Sequence, residues 1–184
     1  PDYTGRLLDL LKEEEVKAAF FVVTREAVKE EALIDRMLSE GHVVGFHSMD
    51  HQNAMVRGYL HTRKDFRTGS EFMKRKGISD IWYRPPWGLT NLFSWHFVRK
   101  YGMKMVLWDV MAEDWERGAT AGSIRKKCLS RVKDGSILCL HDGGRRTGGA
   151  PGAPEKTLEA LTYVIPALKE AGYRFILPSE SVFR

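Results

Sequence analysis

Two hydrophobic patterns alternate along the chain. At 2–15, Leu7, Leu8 and Leu11 stand at helical spacing, and the stretch closes on Glu13, Glu14 and Glu15 before an apolar run at 18–23. This predicts a helix followed by a buried strand. The pairing recurs: 27–40, with Leu33, Ile34, Met37 and Leu38 on one face, leads to 43–46; 62–76 leads to 81–83; 92–101 leads to 103–108; 124–132 leads to 137–140; 155–171 leads to 173–176. Gly41, Gly77, Gly102, Gly135 and Gly172 fall between helix and strand, where a left-handed helix terminus calls for glycine. Pro166 lies inside the last helix and should kink it or remove a hydrogen bond. Six strands alternating with helices predict a parallel sheet with right-handed crossovers. The pattern alone leaves an open, doubly wound sheet and a barrel equally available.

Length and composition narrow the class. A chain of 184 residues suits one domain, 1–184, and a 43% apolar, 29% charged composition is that of a globular protein. No apolar run approaches the roughly 18 residues that cross a bilayer. The net charge of +5 is spread among acids in the predicted helices, as on solvated faces, so nucleic-acid binding is not indicated. Cys128 and Cys139 form neither a metal spacing nor a disulfide framework and read as buried free thiols. The chain starts at Pro1 without a leader, so its localisation is not legible there.

The chemistry gathers at predicted strand ends. His47 follows the run ending at Phe46, Arg84 follows 81–83, Asp109 follows 103–108, and His141 follows 137–140. Strand C-termini of parallel sheets share one edge, where sites are assembled, so four polar ends predict a convergent site; the plainer alternative is that polar residues mark the end of any strand. His47 and His51 are four apart, which on a helical turn puts both imidazoles on one side to share a metal; the same spacing also suits a solvated helix surface or a cap. Arg84 in Arg84-Pro85-Pro86-Trp87-Gly88 fits either a rigid turn or a preorganised site. Asp114 is either an N-cap or an acid desolvated beside Trp115, and His141-Asp142 either a strand-ending turn or a proton-donating pair. His42, His61 and His96 have no partner at useful spacing and read as structural.

With these pieces in order, the chain resembles the polysaccharide deacetylase family, the NodB-homology domain of carbohydrate esterase family four. The matching stretches are His47-Ser48-Met49-Asp50-His51, Arg84-Pro85-Pro86-Trp87-Gly88, Asp114-Trp115 and Leu138-Cys139-Leu140-His141-Asp142, with further similarity over 7–21 and 157–175. The resemblance implies an α/β fold, a distorted (β/α) barrel of about seven units, with the first strand absent from this chain. It also implies that His47 and His51 ligate a divalent metal, zinc first, with cobalt or another divalent ion the alternative. The Trp87 backbone N–H would assist the oxyanion, His141 would protonate the leaving amine held by Asp114, and Trp115 and Leu140 would line the acetyl slot. The family's first motif, two consecutive aspartates giving the base and a third metal ligand, is expected upstream of Pro1. Arg84 would hold that base.

Two lesser departures stand beside this: Ala19 replaces a threonine usual in the family, and the loop 143–154 brings Arg145 and Arg146 near the implied acid, for an anionic or bulky polymer. The implied activity is metal-dependent removal of N-acetyl groups from an N-acetylglucosamine polysaccharide or oligosaccharide, peptidoglycan or chitin-like, in a secreted or cell-envelope setting. The alternatives are an O-acetyl esterase of the xylan type and a catalytically silent carbohydrate-binding fragment. Without the upstream motif the chain is expected to bind metal weakly and turn over poorly.

Overall fold

The chain's structure, a computed structural model, describes residues 2–143 and 149–178; Arg145 and Arg146 lie outside them. In chain order the elements are α1 (Asp2–Glu13), β1 (Ala19–Val22), α2 (Thr24–Ala27), α3 (Glu31–Ser39), β2 (Val43–Phe46), α4 (Tyr59–Arg75), β3 (Trp82–Tyr83), α5 (Leu92–Lys100), β4 (Lys104–Met105), β5 (Val110–Met111), α6 (Ala121–Arg131), β6 (Leu138–Cys139) and α7 (Ala153–Glu170). Single 3-10 turns occupy Ala54–Val56 and Pro86–Gly88. All five glycines predicted to end helices have positive φ, from 61° to 87°. Two units result, Ala19–Leu107 and Pro1–Ala18 with Trp108–Arg184.

The unit Ala19–Leu107 holds a parallel sheet of order β1-β2-β3-β4. Chain order without reversal is the order of a singly wound sheet, so within this unit the doubly wound alternative falls away. Register aligns the strand ends: Val22 pairs with Phe46, and Phe46 with Tyr83. The ladder continues past them, His47 N–H donating to Val22 O at 3.0 Å and Arg84 N–H to Phe46 O at 3.0 Å. His47 and Arg84 therefore leave neighbouring strands side by side. Two glycines permit this packing by lacking a side chain. A Cβ on Gly45 would lie 2.7 Å from the Phe21 ring and 2.9 Å from the Trp82 carbonyl oxygen, and one on Gly69 of α4 would lie 2.2 Å from the Phe46 ring. Phe46 then joins Phe66, Tyr83 and Phe97 in a buried aromatic cluster, with ring centroids 4.9–5.9 Å apart along its contacts.

The unit Pro1–Ala18 with Trp108–Arg184 packs α7 on α6 and α1 and pairs β5 with β6 in parallel. Leu8 and Leu11 of α1, Ile124 and Cys128 of α6, and Leu158, Leu161, Val164, Ile165 and Leu168 of α7 form its core. Helix α6 opens on a reciprocal capping box between Thr120 and Ser123. Helix α7 runs through Pro166 without a break. Both cysteines are buried free thiols, and burial with the nearby Asp114 charge pushes the Cys128 thiol up to about 11. No helix among the described residues is long and apolar enough to cross a membrane.

The elements depart from expectation in three places. The run 103–108 ends as a strand at Met105, and a separate strand, β5, follows Asp109. Asp109 thus precedes a strand, and its carboxylate accepts the Ile137 N–H at 2.9 Å ahead of β6. It belongs to the N-terminal end of the β5-β6 pair, away from the strand ends that carry the candidate chemistry. Residues 173–176 are in no strand, because a strand exists only by pairing and no neighbour pairs with them among the described residues. The predicted helix 27–40 begins late, at Glu31: Ala27 instead closes the short helix α2, whose first two N–H groups donate to Ser48 O and Met49 O at 3.0 and 3.1 Å, and residues 28–30 are in no helix.

Candidate functional site

In the unit Ala19–Leu107, His47 and His51 come together through a turn, not a helix: residues 47–53 contain no helical residue. Ser48 and His51 have φ of 65° and 53°, and each such non-glycine residue costs on the order of 1 kcal/mol unless its surroundings hold it. Five hydrogen bonds do, one of them from the Thr24 hydroxyl to the Ser48 carbonyl at 3.4 Å. Thr24 N–H and Arg25 N–H donate to the Ser48 and Met49 carbonyls, His51 N–H donates to Ser48 Oγ at 2.7 Å, and Met49 N–H donates to the Asp65 carboxylate. The imidazole centroids of His47 and His51 end 4.9 Å apart.

His47 Nδ1 lies 2.6 Å from the Arg84 carbonyl oxygen. A carbonyl only accepts, so Nδ1 carries the proton and Nε2 is the lone-pair nitrogen, the tautomer of a metal ligand fixed by an outer hydrogen bond. Two neutral imidazoles so placed fit as two ligands of a divalent cation. Among the described residues no group of three His, Cys, Asp or Glu could hold a metal.

Arg84 donates from Nη2 to Leu107 O at 2.9 Å, and its guanidinium lies 4.1 Å from the centroid of the Phe21 ring. Pro85 and Pro86 stiffen the segment that follows, and Trp87 takes a left-handed conformation, φ 53°. Its indole is 53% exposed and stands 4.5 Å from the His51 ring. Asp65, buried, has its carboxyl pushed up to about 7 by burial, against the lowering effect of the Met49 N–H.

In the other unit, Asp114 follows β5 and is fully buried. Its carboxylate accepts three donors: His141 N–H at 2.7 Å, His141 Nδ1 at 2.9 Å and Thr157 Oγ1 at 2.9 Å. The ring nitrogen facing the acid is the donor, which leaves Nε2 of His141 to exchange a proton. Trp115 meets the His141 ring edge to face, centroids 5.1 Å apart, and Leu140 is half-buried beside it in sequence. The segment before Asp114 is tied down by α6: Glu113, φ 48°, pairs with Lys127 at 2.6 Å and Arg131 at 3.0 Å. Asp142, adjacent to His141 in sequence, instead accepts the Thr4 hydroxyl at 2.7 Å, so the acid partner of His141 is Asp114.

His42 packs against Phe20 with centroids 5.3 Å apart, as a structural histidine should. Asp65 and Thr157 were not singled out from sequence. Asp65 sits in a charged helical stretch that reads as solvent-facing, and Thr157 occupies an ordinary core position of α7.

The polysaccharide deacetylase family model matches residues 1–106. The chain belongs to the polysaccharide deacetylase family. It is similar to a peptidoglycan-N-acetylglucosamine deacetylase of Bacillus cereus, 31% identical over 182 residues, 98% of this chain and 82% of that protein. It is similar also to a chitooligosaccharide deacetylase of Azorhizobium caulinodans, 28% identical over 180 residues, 94% of this chain and 85% of the other. Its α/β fold with parallel strands matches a crystal structure of a peptidoglycan N-acetylglucosamine deacetylase in complex with 4-naphthalen-1-yl-N-oxidanyl-benzamide, at TM-score 0.86 and 29% identity over 96% of this chain and 79% of that one.

Proposed function

We propose that this polysaccharide deacetylase is a metal-dependent hydrolase removing N-acetyl groups from an N-acetylglucosamine-containing polysaccharide or oligosaccharide, peptidoglycan or chitin-like. The observation that carries the reading is the His141–Asp114 pair, an imidazole fixed by a fully buried carboxylate with Nε2 left to deliver a proton. An amide's nitrogen leaves poorly unless protonated, which is the task this geometry suits. Similarity to deacetylases of peptidoglycan and of chitooligosaccharides supports the substrate class.

His47 and His51 would hold the metal through Nε2 of His47 and a nitrogen of His51. A divalent cation there, zinc before cobalt or another ion, supplies Lewis-acid charge for the acyl carbonyl. The Trp87 backbone N–H would donate to the same developing oxyanion, while Trp115 and Leu140 bound the slot for the acetyl methyl. In the balanced reaction water gives one proton to the general base and adds its hydroxyl to the acetyl carbon, the C–N bond breaks, and His141 Nε2 gives its proton to the departing amine. Asp114 keeps the ring oriented throughout. The base and a third metal ligand would come from acidic residues upstream of Pro1, with Arg84 orienting that base. The deciding experiment is acetate release by a chain extended upstream, on chitooligosaccharide, peptidoglycan and acetylated xylan in parallel. Release from the first two supports de-N-acetylation; release confined to xylan replaces it with O-acetyl ester hydrolysis, and none from any substrate with bound metal replaces it with carbohydrate binding.

A further inference from the structure

We propose that Asp65 is a positioning residue for the His47/His51 pair, its buried carboxyl holding the Met49 N–H at the apex of the turn that carries both imidazoles. The inference rests on the metal-binding reading of those histidines. The turn's other ties come from α2 and from the turn itself: Thr24 N–H, Thr24 Oγ1 and Arg25 N–H donate to the Ser48 and Met49 carbonyls, Arg25 pairs with Asp50 at 2.8 Å, and Ser48 Oγ accepts the His51 N–H. Asp65 reaches in from a different helix, α4, sixteen residues from Met49, and takes the Met49 N–H.

The rest of the packing explains why α4 can serve as a fixed post. Helix α4 packs on β2, the strand that delivers His47, through the contact of Gly69 with Phe46. Phe66, next to Asp65, lies 5.5 Å from Phe46 and 4.9 Å from Tyr83, centroid to centroid. Strand β2 and the acid that holds its following turn are therefore fastened to one aromatic cluster, and a shift of the turn relative to the strand end is resisted at Met49. Removing the carboxyl leaves the Met49 N–H without that acceptor and frees a backbone in which Ser48 and His51 both have positive φ. The two rings then lose their fixed separation, and affinity for a cation they share falls as it does when other supports of ligating histidines are removed.

The test uses Asp65→Ala and Asp65→Asn in a chain extended upstream, as for the acetate-release test, with two readouts, amide hydrogen exchange of Met49 without metal and calorimetric titration with zinc. Asp65→Asn keeps an acceptor oxygen in place. It is expected to retain Met49 protection and zinc affinity within about threefold, while Asp65→Ala loses the protection and weakens zinc by about 10- to 100-fold. Asp65→Glu, which keeps the acid and displaces its oxygens by one methylene, is expected to fall between, and it decides the matter should the alanine variant not fold. Unchanged exchange and affinity in Asp65→Ala, or a loss in Asp65→Asn equal to that in alanine, overturns the proposal. Should a chain extended upstream to include the proposed third ligand bind no zinc at all, the metal reading of His47 and His51 fails, and the exchange of Met49 still decides whether Asp65 holds the turn.

Discussion

Each unit orients a histidine through Nδ1, and each does so with a different oxygen. His47 gives its Nδ1–H to a backbone carbonyl, that of Arg84, whereas His141 faces the carboxylate of Asp114. Either oxygen fixes the Nδ1–H tautomer and leaves Nε2 as the reactive nitrogen. On the proposed roles, one such nitrogen serves a metal and the other a leaving amine, beside a neutral acceptor in one unit and a buried carboxylate in the other. The buried acids differ in parallel: Asp65 accepts one backbone N–H, while Asp114 accepts three donors from β6's end and α7.

The sharpest way to break this contrast is to exchange the losses. His141→Ala is expected to lower kcat by roughly 10²–10⁴-fold with zinc stoichiometry unchanged, as loss of a general acid should. His47→Ala is expected to lose zinc affinity first, with activity returning in part at high metal. Acetate release together with zinc titration separates the two, and a loss of zinc from the His141 variant would erase the division of labour.

A second test reads Asp65 through pH. Its folded-state pKa of about 7 lies above the ordinary value of 3.8, so the fold favours the protonated form. That contribution is complete below about pH 4 and is lost as pH rises to and through about 7, amounting to roughly 4 kcal/mol at most. Urea unfolding across this range should show the decline in the native chain and a flatter profile in Asp65→Asn. Parallel profiles would mean the acid is better solvated than its burial suggests.

The remaining tests concern the three donors. Asp114→Asn places an amide N–H₂ against groups that themselves donate, and is expected to cost about 1–3 kcal/mol in stability and most of the activity lost in His141→Ala. Thr157→Val deletes one donor with little change of shape. It should cost about 1 kcal/mol and lower kcat only severalfold, because the two bonds to His141 remain. A Thr157→Val loss as large as that of Asp114→Asn would show that the threonine sets the orientation of the acid.

What could be read from the sequence was whatever depends on local pattern. Strand 43–46 and the five helix-ending glycines are there in the periodicity, since a buried strand needs a continuous apolar run and a left-handed terminus needs a residue without Cβ. Strand β5 was missed because two residues make no pattern, and it shares its apolar stretch with β4. The turn at 47–51 reads as helical on spacing alone, yet Asp65, α2 and Ser48 hold it in another conformation, and none of those ties lies in the turn's hydropathy. Thr157 and Asp65 became visible only once folding brought them to Asp114 and Met49. The spacing of chemically capable residues nominated His47, His51, Asp114 and His141; the groups that hold them are long-range and leave no local mark.

Among the described residues, five non-glycine positions have positive φ, and four of them lie beside candidate side chains: Ser48, His51 and Trp87 in the unit Ala19–Leu107, and Glu113 next to Asp114 in the other. For protein engineering this is a warning. Glycine or asparagine at such positions relieves backbone strain, so a screen for thermal tolerance will be drawn to them early. Its winners at Ser48, Trp87 and Glu113 are expected to melt later and deacetylate worse, and a useful library would hold these four positions constant.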